Sequence, residues 1–322
     1  MALRTLDSPP SILPLYARAA APLIPGASLL PFVPGRGKGI PEIELALTGV
    51  RAEPERVAAY AKVCGFPLRD HLPPTYPHVL AFPLHMAVMA DGSFPFGAIG
   101  LVHVENRIEQ RRRIGLDEEL RIVVRPTKLE PHPRGRTFTL LSEIFAGEEK
   151  AWEGVSTILR RGGGSATASE PNAHHVPVPG GRKVDAGGSG DQEGTPELAA
   201  TAEWSLSGDL GRRYAAVSGD RNPIHMHSLT AKPLGFPRAI AHGMWTKARC
   251  LAALESRLPD AFGVEVRFRK PILLPGRVEF ASGTQGEEID FAVRDAKRQT
   301  PHLDGQVRPV EVETPAGRSN SR

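Results

Sequence analysis

Asp220 and His225 stand five positions apart on either side of Asn222-Pro223, and their side chains suffice for water chemistry. Asn-Pro is a turn signal, and the proline bars a regular helix through the segment. A carboxylate and an imidazole flanking such a turn can converge on one small volume, hold a water molecule and take its proton. Further on, Gly243 opens an apolar helical stretch. A backbone N–H at a helix start, aided by the helix dipole, can bind a carbonyl oxygen as it becomes negative. A water activator beside an oxyanion donor suits hydration of a double bond conjugated to a carbonyl. Asp220 also has an ordinary reading as a helix cap. His225 and His227 form a His-x-His pair, but no carboxylate or cysteine cluster completes a coordination shell around them, so no metal is expected. His242 is read as a side chain orienting the helix start.

The run Tyr214-Ala-Ala-Val-Ser218-Gly-Asp220-Arg-Asn222-Pro223-Ile-His225-Met-His-Ser-Leu-Thr-Ala231 closely resembles the signature of the MaoC-like, or hydratase-2, family of (R)-specific enoyl-CoA hydratases. That signature reads aromatic, spacer, aliphatic, Ser-Gly-Asp-x-Asn-Pro-aliphatic-His, five residues, Ala, and every position is met. Ile240-Ala-His242-Gly243-Met244 resembles the start of the family's hot-dog helix. The resemblance implies Asp220 and His225 as catalytic pair, Gly243 N–H as oxyanion donor, and Ser218 and Asn222 as loop supports. It implies reversible syn addition of water to a trans-2-enoyl thioester of coenzyme A or acyl carrier protein, giving the (3R)-3-hydroxyacyl thioester without metal or cofactor. Thioester hydrolysis, or a scaffold role in a dehydratase complex, are the competing functions.

Such residues need elements to hold them. Ile240, Met244, Ala248, Leu251, Leu254 and Leu258 recur every three or four positions, giving one apolar helical stripe. Val264-Glu-Val266-Arg-Phe268 alternates with the period of a half-buried strand, and 277–281 and 289–293 are further strand runs. An α+β layer fold follows, and the family resemblance makes it a double hot-dog, in which each of two repeats wraps a curved antiparallel sheet around a long helix. The first half carries a related pattern. Tyr60-Ala-Lys-Val-Cys-Gly65 matches Tyr214-Ala-Ala-Val-Ser-Gly219 at an offset of 214 − 60 = 154, and Tyr76-Pro77 matches Phe236-Pro237 at 236 − 76 = 160. A six-residue insertion in the second half reconciles these offsets. Phe66 then stands opposite Asp220, His71 opposite His225, and Pro83, without an N–H, opposite Gly243. The first repeat is therefore expected to lack chemistry, and the vacated space near Phe66 to receive acyl chain.

Residues 162–197 and 299–322 are poor in large apolar side chains and read as a flexible linker and tail. The expected organisation is a proline-rich arm over 1–40, a degenerate hot-dog over 41–161, the linker, a catalytic hot-dog over 198–298 and the tail. The chain has 322 residues, a net charge of +4, 40% apolar residues and two cysteines. That composition fits a soluble cytoplasmic protein with no disulfide framework. No basic, aromatic-rich stretch suggests nucleic acid, and no apolar run reaches membrane-spanning length. Arg267, Arg269 and Lys270, after the helix, are the candidate phosphate contacts of the thioester carrier. A double hot-dog already contains its own pseudo-dimer, so monomer and homodimer are both compatible.

Overall fold

The computed structural model describes residues 2–21, 35, 37, 39–162 and 198–310. The first half contains β1 (Ala2–Leu6), α1 (Ile12–Ala20), β2 (Ile43–Arg51), α2 (Pro54–Cys64), α3 (Tyr76–Met89), β3 (Val102–Gln110), β4 (Glu119–His132), β5 (Gly135–Ala146) and β6 (Glu149–Arg161). The second contains β7 (Ala200–Leu206), α4 (Leu210–Ser218), α5 (Pro223–Met226), α6 (Ser228–Ala231), α7 (Gly243–Leu254), β8 (Phe262–Phe268), β9 (Gly276–Gln285), β10 (Glu288–Asp295) and β11 (Pro301–Pro309). These strands form one sheet in the order β1-β2-β4-β5-β6-β3-β8-β11-β10-β9-β7. Apart from β1, which adds parallel to β2, each half contributes its five strands in the same order, so the sheet is a pseudo-symmetric double hot-dog. The halves meet where β3 pairs antiparallel with β8, from Glu105↔Arg267 to Gln110↔Phe262. That pairing satisfies two edges that would otherwise expose unpaired N–H and C=O groups.

Each repeat has a helix at its centre. Buried α3 residues Ala81, Leu84 and Val88 and buried α7 residues Ala248, Leu251 and Leu254 join one continuous apolar core with the inward residues of the sheet. Alternation places them: in β10, Ile289, Phe291 and Val293 face inward. Lys247 is buried on α7, and its Nζ donates to Asn106 O (3.1 Å), Asn106 Oδ1 (2.6 Å) and Val264 O (3.1 Å), tying α7 to both strands of the seam.

The repeat is real, but its alignment differs from the sequence reading. α2 and α4 both end on a left-handed glycine, Gly65 (φ 83°) and Gly219 (φ 77°), each donating to a carbonyl four residues back. This matches the 154 offset and places Phe66 opposite Asp220. The entry to the central helix is marked in both repeats by the same contact, Leu72 N–H to Ile114 O and Ala241 N–H to Ile272 O. From glycine to that contact there are 72 − 65 = 7 positions in the first repeat and 241 − 219 = 22 in the second. The second repeat therefore carries fifteen extra residues, not six, and they build α5, α6 and the turn after them. His71 consequently corresponds to Ile240 and bridges Gly115, and it is not a relic of His225. Pro83 lies inside α3; at that contact's offset of 241 − 72 = 169, Pro74 just before α3, also without an N–H, is the counterpart of Gly243.

Two boundaries also change. The tail expected from 299 begins after a strand: β11 pairs with both β8 and β10, because His302, Leu303 and Val307 supply a buried face despite flanking polar residues. In the proline-rich arm β1 extends the sheet and α1 packs against α3 through the core. Strands β2, β6 and β7 were not read from the sequence. Of the expected linker, 163–197 lie outside the described residues, as do 311–322 of the expected tail.

Candidate active site

α4 stops at Gly219, and the chain leaves it to present Asp220 at the mouth of the inserted loop. Ser218 Oγ donates to Tyr214 O (2.9 Å) and accepts from Asp220 N–H (3.2 Å), fixing the exit from the helix. Pro223 at the first turn of α5 suits a helix start. The close approach of α5 to α4 requires Gly211, where a Cβ would fall about 2.0 Å from His225 O. Asn222 Nδ2 donates across the repeats to Leu101 O (3.3 Å), while its buried Oδ1 has no partner.

The Asp220 carboxylate accepts from Tyr16 O–H (3.1 Å) and Asn222 N–H (3.1 Å), both at Oδ1. Tyr16 O in turn accepts from Arg221 N–H (2.7 Å). Burial favours the neutral acid, but the neighbouring His242 and His225 and these donors outweigh it and hold the carboxyl below its ordinary range. Oδ2 is left toward the cavity, 3.8 Å from His242 Nε2. The His225 ring stacks on His242 with centroids 3.7 Å apart. His225 Nδ1 lies 2.8 Å from Ile240 O, and His242 Nε2 lies 3.0 Å from Asp220 O. A carbonyl can only accept, so these nitrogens carry the protons, leaving His225 Nε2 and His242 Nδ1 with lone pairs. Burial lowers both imidazoles, His242 to about 3. Gly243 follows as the first residue of α7, whose first N–H groups have no acceptor within the helix. The Phe268 ring closes over it, 3.0 Å from where a Cβ would stand.

Asp220, His225, Gly243, Ser218 and Asn222 thus line one cavity of about 940 Å³ that runs between the repeats. Arg267 and Lys270 line it too. Phe66 does not: it is buried in the core off the cavity wall, and Phe82, Met86 and Met89 of α3 form the apolar lining instead. Ligand atoms of Asp220, His225 and His242 lie within 4.8 Å of one another, a spacing that could hold a cation.

Sequence reasoning missed three groups of lining residues. Tyr16 arrives from α1, 204 positions from Asp220, and nothing local to a tyrosine in a proline-rich arm signals such a contact. Arg134 and Arg161 join Arg269 and Lys270 around the cavity. Arg134 lies in the β4–β5 turn and Arg161 at the end of β6, so only the sheet brings them together. His78, His85 and His103 of the first repeat also face the cavity.

The profile of the MaoC like domain matches residues 195–305. The chain is 36% identical over 283 residues, 88% of its own length and 94% of the relative's, to 3-hydroxyacyl-thioester dehydratase X of Mycobacterium tuberculosis. The crystal structure of M. tuberculosis HtdX superposes with a TM-score of 0.70 at 33% identity, covering 83% of this chain and 100% of that one. A second M. tuberculosis protein, with a double hot-dog fold, superposes with a TM-score of 0.51 at 13% identity, covering 80% and 92%, a likeness of fold alone. Similarity across nearly the whole chain, together with the hot-dog pair and the matched signature, establishes that the chain belongs to the MaoC-like dehydratase family.

Proposed function

We propose that the protein interconverts trans-2-enoyl and (3R)-3-hydroxyacyl thioesters by syn addition and removal of water. The observation that carries this reading is the meeting of the Asp220 carboxylate, the unprotonated His225 Nε2 and the start of α7 on one cavity wall. In the hydration direction the thioester carbonyl accepts from Gly243 N–H, and a water sits between Asp220 and His225. His225 Nε2 takes a proton from that water as its oxygen bonds to C3. The electron pair of the double bond moves toward the carbonyl, and the enolate oxygen is stabilised at the helix start. Return of a proton to C2 from the same side completes the addition, and the reverse sequence is dehydration. No electron leaves the substrate, so no redox cofactor is called for. The name of the dehydratase relative favours the dehydrating direction in use.

Arg134, Arg161 and Lys270 are assigned to the phosphates of the thioester carrier. Among the described residues none of the three has a carboxylate partner, whereas Arg267 pairs with Glu105 (3.5 Å) and Arg269 with Asp304 (2.5 Å). Burial and the charge of Arg134 lower the Arg161 pKa, a strain that a phosphate relieves. Among the described residues no helix is long and apolar enough to cross a membrane, and Cys64 and Cys250 are buried free thiols that fit a reducing cytoplasm. The test is an assay on crotonyl- and decenoyl-CoA that follows enoyl absorbance, product chirality and free thiol together. Loss of absorbance with a (3R) product is expected; thiol release without hydration would replace this reading with thioester hydrolysis.

A further inference from the structure

The first repeat's side of the cavity is too polar for a plain hydrocarbon chain. Acyl and other apolar ligands are normally enclosed by apolar side chains with few, placed polar groups. Here His78 and His85 of α3, His103 of β3, Thr137 of β5 and Ser156 of β6 all line the cavity among Phe82, Met86 and Met89. The three imidazoles form a contiguous row: His78 lies 5.0 Å from His85 and 6.1 Å from His103, centroid to centroid. The row is anchored at one end, where His85 Nε2 is 2.7 Å from Ser142 Oγ. At the other end His103 packs against Phe268 at 5.2 Å, the ring that closes over Gly243. His103 Nε2 is buried with no hydrogen-bond partner in the protein. Leaving such a group unpaired is destabilising, so its place on a cavity wall needs an explanation.

We propose that this histidine row is a binding site for a neutral oxygen function, a hydroxyl or carbonyl, carried by the acyl chain beyond the reacting double bond. The inference rests on the hydratase reading for its orientation. With the carbonyl on Gly243 and C3 at the Asp220–His225 water, the chain from C4 onward runs past Asp220. His78 and His103 line the same cavity as Asp220 and Tyr16. Burial, the first cause in each case, keeps all three rings neutral, His78 at about 4 and His103 at about 3. Neutral imidazoles each offer one donor and one acceptor, which suits a hydroxyl in either role or a carbonyl as acceptor. A second carboxylate on the chain would face the Asp220 charge and find no cation in the row. A site built to hydrogen-bond an oxygen discriminates strongly against the chain lacking it, because its own polar groups are then left unpaired.

The experiment compares trans-2-decenoyl-CoA with isomers hydroxylated at successive positions from C5 outward, in the full-length protein, by kcat/KM. Wild type is expected to favour at least one isomer over the plain chain by about tenfold or more. His103→Phe and His78→Phe, each checked for an unchanged thermal midpoint, should bring that ratio toward one. Two variants are used so that loss of folding in one leaves the other to decide; a ratio that collapses in one folded variant supports the site. A wild-type ratio at or below one for every isomer overturns the proposal, as does a ratio unchanged in both variants. Equal losses on plain and hydroxylated chains also overturn it, since the imidazoles would then serve the thioester or pantetheine arm common to all. Calorimetry with saturated hydroxydecanoyl- and decanoyl-CoA reads the same preference without turnover. Tighter binding of a hydroxylated chain with no hydration of any substrate would overturn the hydratase reading and support this one.

Discussion

In the proposed reaction Asp220 and His225 divide one task unequally. His225 has its proton fixed on Nδ1 by Ile240 O, so Nε2 is the free base. Asp220 is held ionised at Oδ1 by Tyr16 and Asn222 and offers Oδ2 to the cavity. Asp220→Asn and His225→Gln should each lower hydration by roughly a hundredfold to ten-thousandfold, the usual worth of a positioned acid–base group. A variant keeping more than half the wild-type rate would mean that another pair does the chemistry. The pH profile follows from the same geometry. A base must be unprotonated, and burial lowers the His225 pKa, so kcat/KM should stay on its plateau below pH 6.5, the ordinary imidazole value. Tyr16 acts through Asp220 and is a positioning residue. Tyr16→Phe removes a donor that stabilises the carboxylate, so the carboxyl pKa rises and the acid limb of the profile moves up in pH. An acid limb that stays in place while the rate falls would assign Tyr16 to packing alone.

At the scale of elements, the start of α7 is where position and chemistry are most closely joined. The tight fit of Phe268 over Gly243 means that alanine is not a silent replacement: its methyl must push the ring aside by a few tenths of an ångström. Gly243→Ala should therefore reduce activity moderately, whereas Gly243→Pro, which also deletes the N–H, should cost about 3–4 kcal/mol in the transition state. Proline is tolerated in a first helical turn, so the comparison can be made in folded protein. A folded proline variant within threefold of the alanine variant would remove the oxyanion role from Gly243. The stripe from Met244 to Leu254 made α7 legible, and the alternation in 264–268 made β8 legible, because both have one buried face. The signature around Asp220 was legible because its spacing is local. β11 was not, since His302-Leu-Asp-Gly-Gln-Val-Arg308 interrupts the alternation with polar residues that pair to strands on both sides. The misplaced insertion had a similar cause: Tyr76-Pro77 and Phe236-Pro237 match as letters, but one begins a helix and the other lies in the loop before it. Tyr16 and the histidine row depend on contacts between distant segments, which no local period records.

The whole molecule is built around buried histidines, and that sets its response to acid. His78, His85, His103, His225, His242 and His302 all have lowered pKa values, with burial the first cause in each. Unfolded, each binds a proton near pH 6.5; folded, His78 does so only near 4 and His103 and His242 near 3. Between those limits the unfolded chain holds more protons, so stability falls as pH falls, by up to about 1.4 kcal/mol per pH unit for each such histidine. The effect is absent above pH 6.5. Asp220, also lowered, adds its loss only near and below the ordinary carboxylate value of about 3.9, which separates the two windows. Several histidines acting together are large against a total stability of about 5–15 kcal/mol. The urea midpoint should therefore hold steady from pH 8 to 7 and drop steeply from 6.5 to 5, before the carboxylates titrate. His103→Phe tests the assignment directly, because phenylalanine binds no proton and the one bond lost is that to the Glu105 backbone, Nε2 having none. That variant should show a shallower decline, by up to one proton's worth of slope, with a midpoint at pH 8 close to wild type. A wild-type midpoint that is flat down to pH 5 would mean that the buried imidazoles reach water and protonate in the folded state, and the neutral row facing the cavity would lose its basis.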